Sequence, residues 1–400
     1  MNRNSISLAA VGALVVLACL IPPRAAGAQS VAQRLSGVKN GTVRMSFAAR
    51  DDVCGYANGI TTHARENART RGSWNWNGNE SEDVVYDNEC SEGPARVVAH
   101  FENGQLTRIH SYVGGRWRPA GADVTDVGTV SVKDATDYLL GIARTQSGKA
   151  AGEAIFPLTL ADSLNMAQPI YSIAKDDSRP MEVREQAIFW LSQLDDDAVV
   201  GMLDNILKSS QDERVQDKAI FGLSQQRSGK GFAILRDYAE HDTYPEESRG
   251  KAIFWLGQGQ SNGGEYLRSL YPKVHSAELR DKIIFSVSQS RDAASAKWLI
   301  DMVADRNQDI EMRKKALFWA GQNGASMQQL ADLYDKMDER AMKDQMIFVF
   351  SQRHESAAFN KLMEIAKNDT DREARRKAMF WLGQSHDPRV QQFILDVINK

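Results

Sequence analysis

The second half of the chain repeats a phrase of about eleven residues in which apolar and polar positions keep a fixed order. The first full copy runs from Val183 to Gln193, and every copy has a phenylalanine near its centre. Successive phenylalanines are 32, 33, 31, 33, 30 and 32 positions apart: Phe189, Phe221, Phe254, Phe285, Phe318, Phe348 and Phe380. A fixed period of this size predicts a solenoid, in which each unit buries its apolar face only against its neighbours.

The phrase has the spacing of an amphipathic helix. Counted from the phenylalanine, positions −6, −2 and +2 fall within one arc when a helix turns about 100° per residue. In the first copy they are Val183, Ala187 and Leu191, and they predict a wide buried stripe. A looser amphipathic segment, such as 199–208, precedes each copy. Each unit is therefore predicted to be a pair of helices joined by short polar turns, with the phrase as the second helix.

The unit before the first full copy is predicted to be degenerate. Phe156 opens the series 33 positions early, and Pro157 stands in a slot that is often tryptophan. A terminal unit packs on one side only and tolerates such a change. Ser131 fits the N-cap of a joining helix. We expect a joining helix and degenerate first repeat over 123–180, and the solenoid proper over 181–400, with about eight helical pairs in all.

The phrase resembles the HEAT repeats of exported bacterial proteins, in particular the short class related to phycobilisome-lyase repeats. The likeness rests on an apolar residue and Arg, an alanine, a leucine, and then Ser or Gly: Val183, Arg184, Ala187, Leu191 and Ser192. It covers about 240 residues and implies a mainly α fold, an α-solenoid of short HEAT-like pairs. It is a likeness of the repeat unit alone, so it implies no lyase activity.

Two further rows of side chains accompany the phenylalanine on the side of the second helix opposite the buried stripe. Position −3 is lysine in five copies: Lys218, Lys251, Lys282, Lys315 and Lys377. Position +4 is glutamine in all seven: Gln193, Gln225, Gln258, Gln289, Gln322, Gln352 and Gln384. Stacked units would align these residues along the concave wall, with a step of about 10 Å from helix to helix.

Two interpretations of these rows stay open. In the first, the inner helices are crowded, each phenylalanine packs on the next, and the glutamines satisfy backbone carbonyls in the turns. In the second, the phenylalanines, glutamines and lysines form a groove for a protein or an extended peptide. Amides suit such a groove because they both donate to and accept from a backbone, whatever its sequence.

Positions +1 and −5 are interpreted as structural. Position +1 alternates along the series: Trp190, Gly222, Trp255, Ser286, Trp319, Val349 and Trp381. Tryptophan in every second unit predicts that these side chains fill the core and that the structure repeats every two units. Position −5 is basic in six of seven copies and is expected to pair with acids of the turns or of the neighbouring unit.

Residues 29–122 are predicted to form a small β-rich domain, because apolar residues there alternate with polar ones. The segments 96–101 and 106–113 flank Asn103-Gly104, which predicts a hairpin with a type I′ turn.

A two-residue turn pairs position 97 with 110, which would place His100 and His110 on opposite faces of the sheet and make a shared metal site unfavourable. Trp74, Trp76 and Trp117 are interpreted as core, with a stacking platform for sugar or peptide as the alternative.

Residues 1–28 have the pattern of a secretory signal peptide. Arg3 precedes an apolar run over 8–21, and Ala26-Gly27-Ala28 fits a cleavage site. The mature chain is therefore expected in the periplasm or outside the cell. A lipid anchor on Cys19 is less favoured because bulky Leu17 lies close to it, and an uncleaved anchor because the apolar run is short for a membrane span.

Charge and cysteine content narrow the classes of partner. The net charge of −3 becomes −5 when cleavage removes Arg3 and Arg24, so no basic field for nucleic acid is expected. No later segment is apolar enough to cross a bilayer. Cys54 and Cys90 remain after cleavage, and an isolated pair in an oxidising compartment predicts a disulfide.

No catalytic motif stands out. His354-Glu355 lacks the second histidine of a zinc-protease motif, and there is no nucleophile elbow, Walker loop or C-x-x-C. We therefore expect no metal, no cofactor and no enzyme activity, but an exported scaffold or adaptor.

Two alternative functions stay open. One is a structural envelope spacer. The other is an enzyme with its site in the β domain or at the junction with the first repeats, built on a cluster such as Asp51, Asp52, His63 and Glu66.

Overall fold

The computed structural model describes residues 29–57, 59–63, 70–75, 83–87, 90–226, 229–259, 263–290, 292–385 and 388–398. The predicted signal peptide lies outside these ranges. In the described part of the chain, the strands are β1 Gly41–Phe47, β2 Val53–Tyr56, β3 Gly59–His63, β4 Thr70–Asn75, β5 Val84–Val85, β6 Ala95–Glu102, β7 Gln105–Val113, β8 Arg116–Trp117 and β9 Val124–Thr129.

Eighteen α-helices lie in the described residues, and all but α1 follow the strands: α1 Val31–Leu35, α2 Val132–Thr145, α3 Lys149–Glu153, α4 Ala167–Lys175, α5 Met181–Ser192, α6 Ala198–Ser209, α7 Glu213–Ser224, α8 Lys230–Glu240, α9 Glu246–Gln258, α10 Gly263–Leu270, α11 Ala277–Gln289, α12 Ala293–Ala304, α13 Ile310–Gln322, α14 Met327–Lys336, α15 Arg340–Ser351, α16 Ser356–Asn368, α17 Arg372–Gly383 and α18 Pro388–Ile398. Two 3₁₀ helices lie at Phe156–Leu160 and Tyr271–Lys273.

The largest sheet has the strand order β7-β6-β1-β9. The first three of these strands are antiparallel and β9 runs parallel to β1. The predicted hairpin is confirmed: β6 and β7 meet at Asn103 and Gly104, whose φ angles of 53° and 77° are those of a type I′ turn. The sheet ends at β9, within the segment that the sequence assigns to the joint.

The prediction that His100 and His110 lie on opposite faces of this sheet is wrong. The register of β6 on β7 shifts by one residue between His100 and Phe101. In the pairs farther from the turn, each β6 residue therefore lies opposite a β7 residue one position later than predicted, and Val98, not Val97, lies opposite His110. A bulge of this kind inserts one unpaired residue and reverses the parity of side chains beyond it. The two imidazoles therefore share the face turned away from the main core, 5.9 Å apart between ring centroids.

A disulfide joins Cys54 to Cys90, as the sequence predicts. The Cα atoms are 5.3 Å apart, within the usual range for a disulfide. Cys54 lies on β2 of the small sheet β2-β3-β4. Next to the disulfide, Gly55 of β2 and Ser91 also form a pair of backbone hydrogen bonds. The bond thus holds the segment before β6 against β2.

From α2 onward the chain is a succession of helical pairs. Ser131 caps α2 by accepting a hydrogen bond from the backbone N–H of Asp134. Helices α2 and α3 with the following 3₁₀ turn form the degenerate first pair. Seven full pairs follow, from α4/α5 to α16/α17, before α18. The predicted fold class, an α-solenoid of about eight short HEAT-like pairs after a small β-rich region, is confirmed.

The buried stripe of each second helix is as predicted. Positions −6, −2 and +2 are buried in all seven full units, from Val183, Ala187 and Leu191 to Leu382. One continuous apolar core therefore runs through the repeats and into the inner face of the large sheet.

The basic residue at position −5 stabilises the end of the preceding first helix. Arg184 donates to the carbonyl oxygen of Ala174 and Arg313 to that of Val303, both at the last turn of a helix. A cation there complements the negative end of the helix dipole and satisfies an unpaired carbonyl. Acids complete the contact, with Asp177 at 2.7 Å from Arg184 and Glu339 at 2.6 Å from Arg313.

Second helices contact one another more extensively than first helices do. In a stack of helical pairs, the layer with the closer contacts lies on the inner side of the curve. The surface that carries the phenylalanine and glutamine rows, called here the second-helix face, is therefore the concave one. Among the described residues, no helix combines the length and the apolar character needed to span a bilayer.

Candidate binding face of the second helices

The phenylalanines of the second-helix face stack in pairs. Phe189 lies parallel to Phe221 with 6.3 Å between ring centroids, and the same arrangement recurs at 6.2 Å and 6.5 Å in two further pairs: Phe254 with Phe285, and Phe318 with Phe348. In each pair, the first ring belongs to a unit with tryptophan at +1 and the second to a unit without it. These are called tryptophan units and tryptophan-free units below.

A tryptophan closes the gap between one pair and the next. Trp255 lies edge-on to Phe221 at 5.0 Å, and Trp319 lies edge-on to Phe285 at 4.9 Å. Each tryptophan also contacts the phenylalanine of its own helix, as Trp255 does with Phe254 at 5.2 Å. The result is an aromatic ladder that begins with Phe156 on Trp190 and ends with Trp381 and Phe380.

The ladder is neither core nor fully exposed surface. Six of its seven repeat phenylalanines are half-buried, whereas Phe380 is 58% exposed. Stacking on the neighbouring ring covers one face of each phenylalanine and leaves an edge accessible. The phenylalanines thus pack on one another, as the first interpretation expects, and the groove of the second stays a prediction.

Packing explains why the units alternate. The residue at +1 of a tryptophan-free unit lies against position +3 of the preceding unit. A Cβ atom on Gly257 would lie 2.6 Å from the Cβ of Ser286, and one on Gly321 would overlap Val349. Both positions must therefore be glycine. Ser192 holds the same place before Gly222, where a Cβ atom on the glycine would lie 3.0 Å from that of Ser192.

The residue at +3 sets the environment of the glutamine that follows it. Where +3 is serine, its hydroxyl donates to the carbonyl of the phenylalanine three residues earlier and accepts from the glutamine side chain, as Ser224 does with Phe221 and Gln225. Four glutamines are held in this way at 3.0 to 3.2 Å and are called serine-bonded: Gln193, Gln225, Gln289 and Gln352.

The other three glutamines follow a glycine and are called unbonded. They are Gln258, Gln322 and Gln384, all exposed. Within the described part of the chain, their side chains form no hydrogen bond to another residue. Among the described residues, none of the seven glutamine side chains donates to a turn carbonyl. Their amides are therefore directed at solvent or at their own helix end.

The lysines at −3 are largely neutralised by acids. Three of them pair with an aspartate at −4 of the preceding unit: Lys251 with Asp217, Lys315 with Asp281, and Lys377 with Asp344. Lys282 pairs with Glu278 of its own helix at 3.3 Å. Among the described residues, Lys218 alone of the five forms no ion pair. Along each second helix, the row at −3 is therefore charged and, apart from Lys218, paired with acids, whereas the rows of phenylalanine and glutamine carry no charge.

A second concavity lies where the β region meets the first repeats. The cleft encloses about 550 Å³ between Arg50 and Asp52 on one side and the loops after Leu158 and Leu194 on the other. Ser163, at its rim, has a φ of 57°, which is uncommon for a residue with a side chain. No histidine, cysteine, lysine or glutamate is among the described residues that line it.

Of the cluster suggested for an enzyme site, the structure describes the side chains of Asp51 and Asp52, and of these two only Asp52 lines the cleft, where it pairs with Arg50 at 3.1 Å. Asp51 is exposed. His63 ends β3, and its side chain lies outside the described residues, as does Glu66.

The histidines and Trp117 occupy the outer face of the large sheet. Tyr112 donates to Asp83 at 2.9 Å and lies 3.5 Å from Nδ1 of His110. Burial, followed by repulsion from Arg108 and His100, lowers the pKa of His110 to about 4.

The guanidinium groups of Arg44 and Arg96 lie over the ring of Trp117, at 5.2 and 4.9 Å from its centroid, so two cations already stack on this side chain. The side chains of Trp74 and Trp76 lie outside the described residues.

The pattern of two rows on this face was missed from the sequence although its signal is present there. Serine and glycine alternate at +3 from Ser224 onward, and acids recur at −4 in the tryptophan-free units: Asp217, Asp281 and Asp344. Both follow the period of two units already visible at +1. Only the packed structure shows that the first row fixes the glutamines and the second neutralises the lysines.

No protein-family profile and no curated protein matches the chain. Solved structures similar to it include human deoxyhypusine hydroxylase in complex with glycerol, at 17% identity over 62% of this chain and 96% of that one, with a TM-score of 0.27. The Escherichia coli protein YibA is similar at 16% identity over 64% of this chain and 93% of its own, with a TM-score of 0.35.

The complex of CpcE and CpcF of phycocyanin lyase from Nostoc is similar at 15% identity over 67% of this chain and 97% of that one, with a TM-score of 0.27. These likenesses carry no activity, substrate or partner over to this chain.

Proposed function

We propose that the chain is an exported, non-enzymatic scaffold or adaptor that binds a protein segment in extended conformation along the second-helix face. The observation that carries the proposal is the glutamine row, because an amide stands at the end of the second helix in all seven full units and five of the seven glutamines are exposed. The fold needs none of these amides for its turns.

Repetition of one chemistry suits a long, repetitive partner better than catalysis. A catalytic site needs different groups converging on one reacting atom. Here the same pair of groups, an aromatic edge and an amide, recurs along the whole array. Amides can donate to and accept from the backbone of an extended peptide independently of its sequence, while the phenylalanine edges offer apolar contacts to its side chains.

A display selection from a random peptide library, using the chain from residue 29 with its disulfide intact, tests the proposal. Selected peptides are then measured by fluorescence anisotropy. Replacing Gln225, Gln258, Gln322 and Gln352 together by alanine is expected to weaken binding at least tenfold, since a lost hydrogen bond contributes about 1 kcal/mol.

The matched control is Gln328→Ala, an exposed glutamine on first helix α14, which should leave the affinity unchanged. A library that yields no binding peptide, or peptides that bind the four-site variant as tightly as the parent, would contradict the proposal.

A further inference from the structure

The outer face of the large sheet carries a pair of histidines that takes no part in the second-helix face. His100 lies on β6 and His110 on the neighbouring strand β7, with 5.9 Å between ring centroids and 79° between the ring planes. The register shift between His100 and Phe101 is what places both side chains on one face. A β-bulge often re-aims a side chain beside a functional site, and here it brings together two residues of the type that most commonly binds metals.

We propose that His100 and His110 bind one divalent transition-metal ion between them, copper(II) more tightly than zinc. Each imidazole coordinates through Nε2, and water completes the coordination of the ion. Neutral imidazole nitrogens suit copper, nickel and zinc, whereas calcium and magnesium prefer oxygen ligands. Among these metals, copper(II) forms the most stable complexes with a given set of nitrogen ligands.

The separation of the two rings suits a shared ion. A zinc–nitrogen bond is about 2.0–2.1 Å long and the ring centroid lies about 1.1 Å beyond the nitrogen, so each centroid stands about 3.2 Å from a bound ion. Two rings at the tetrahedral angle around one ion are then about 5.2 Å apart, and two rings on opposite sides of it are about 6.4 Å apart. The observed 5.9 Å between the centroids of His100 and His110 lies between these limits.

The hydrogen-bond partners of the two rings lie at Nδ1 and not at Nε2. Nδ1 of His100 is 3.3 Å from Oγ1 of Thr42. Nδ1 of His110 is 3.5 Å from the hydroxyl of Tyr112, which itself donates to Asp83 at 2.9 Å. Because the hydroxyl proton is directed at the carboxylate, the hydroxyl oxygen accepts from Nδ1, which leaves the lone pair of His110 on Nε2. Neither Nε2 forms a hydrogen bond to another described residue.

The charge state of His110 favours a metal, while its surroundings limit the affinity. Burial, and then Arg108 and His100, lower the pKa of this ring to about 4, so it is neutral at pH 7 and loses no proton on binding. The positive charges of Arg108 and Lys149 repel a cation, whereas the negative charge of Asp83 attracts it. No third histidine, cysteine, aspartate or glutamate in the described part of the chain joins the pair as a ligand. The site is therefore weaker than the closed zinc sites of four protein ligands.

Nuclear magnetic resonance of the histidine rings tests the proposal without a substitution. The chain from residue 29, with nitrogen-15 in its histidines and its disulfide intact, is titrated with zinc chloride at pH 7. We expect the Nε2 resonances of His100 and His110 to shift together and to saturate at one equivalent of zinc, while both Nδ1 atoms stay protonated. A shift of only one of the two rings, or of neither, would overturn the proposal.

Isothermal titration calorimetry with copper(II) and with zinc compares the affinities of variants. His100→Gln and His110→Gln are each expected to weaken copper(II) binding at least tenfold, because one of the two protein ligands is lost. Tyr112→Phe keeps both ligands and should weaken binding about tenfold, since it removes the acceptor that orients His110. Circular dichroism checks that each variant is folded.

The matched control is His241→Gln with His354→Gln, which removes two exposed histidines of the repeats and should change the affinity less than twofold. Equal affinities of the parent and the two single-ligand variants would show an adventitious ion only and overturn the proposal. Tighter binding of zinc than of copper(II) would also contradict it.

Discussion

The indole of Trp255 lies edge-on to the ring of Phe221, with 5.0 Å between centroids and 61° between the ring planes. On its other side, Phe221 stacks in parallel on Phe189 at 6.3 Å. One ring thus makes two different contacts with its two neighbours, and this asymmetry makes a pair of units the true structural repeat. Edge-on and offset parallel contacts are both favourable for aromatic rings, which lets the ladder run without a break.

The ladder phenylalanines should contribute to stability in proportion to how far each is covered. Phe254→Ala and Phe318→Ala are expected to cost about 2 kcal/mol each, below the 3–5 kcal/mol of a fully buried ring, because the rings are half-buried. Phe380→Ala should cost much less, since that ring is 58% exposed. Hydrogen exchange of the helices on either side measures the effect locally, as solenoids unfold unit by unit.

If Phe254→Ala leaves exchange in its neighbouring helices unchanged, the rings are surface residues with no packing role. A loss equal to that of a buried leucine on the same helix would instead make the ladder core.

The guanidinium group of Arg313 should be one of the more costly charges to remove. It is 2% exposed, bonds the last turn of α12 and pairs with Glu339. Arg313→Met is expected to destabilise the repeats by about 2–4 kcal/mol, because an acid and a carbonyl lose their buried partner.

Arg214→Met is the matched control, since Arg214 pairs with Glu185 at the exposed surface. A surface pair of this kind contributes about 1 kcal/mol or less. Chemical denaturation of both variants distinguishes the two cases, and similar midpoints would mean that the buried contact contributes little.

The Cys54–Cys90 disulfide should stabilise the β region alone. Closing a loop with a sequence separation of 36 is worth about 3–4 kcal/mol in the chain-entropy model. Cys54→Ser with Cys90→Ser is expected to lower the unfolding temperature of the strands and to leave the helical repeats near α13 unaffected. Intact mass with and without alkylation checks the bond itself, and two free thiols in exported protein would exclude it.

Acid should weaken the β region through His110. Its pKa is lowered to about 4, chiefly by burial and then by Arg108 and His100, below the ordinary value of 6.5. The unfolded state therefore binds the proton more readily, so stability is full above about pH 6.5 and falls as pH drops toward 4.

An NMR titration of the His110 ring measures this pKa directly. His110→Gln should flatten the decline in stability between those pH values, whereas His354→Gln, on an exposed residue of the repeats, should not. An ordinary histidine pKa at position 110 would refute the prediction.

Much of the repeat architecture was predictable because it depends on contacts close in sequence or repeated along it. The buried stripe at −6, −2 and +2 follows from helix periodicity alone, and every one of its residues is buried, as Ala187 and Phe350 illustrate. The Asn103-Gly104 turn likewise specifies its own geometry. The pairing of Cys54 with Cys90 required only that Cys19 be assigned to the predicted signal peptide, which leaves two cysteines.

The sheet faces on which His100 and His110 lie could not be predicted, because a bulge of a single residue determines them. The bulge next to His100 is a local irregularity that the alternation of apolar and polar residues does not indicate. A shift of one position moves every side chain beyond the bulge to the other face of the sheet. The prediction for His110 therefore failed although the hairpin itself was right.

By itself, the sequence determined the solenoid, the period of its units, the residues of its core and the rows of Phe, Lys and Gln on one face. The tertiary structure alone decided what those rows are: stacked rings in pairs, lysines bonded to acids of the preceding unit, and glutamines bonded or unbonded according to the residue before them. Periodicity fixes the direction of a side chain from its own helix, but its partners lie on the next helix, about 32 residues away, and only packing brings them together.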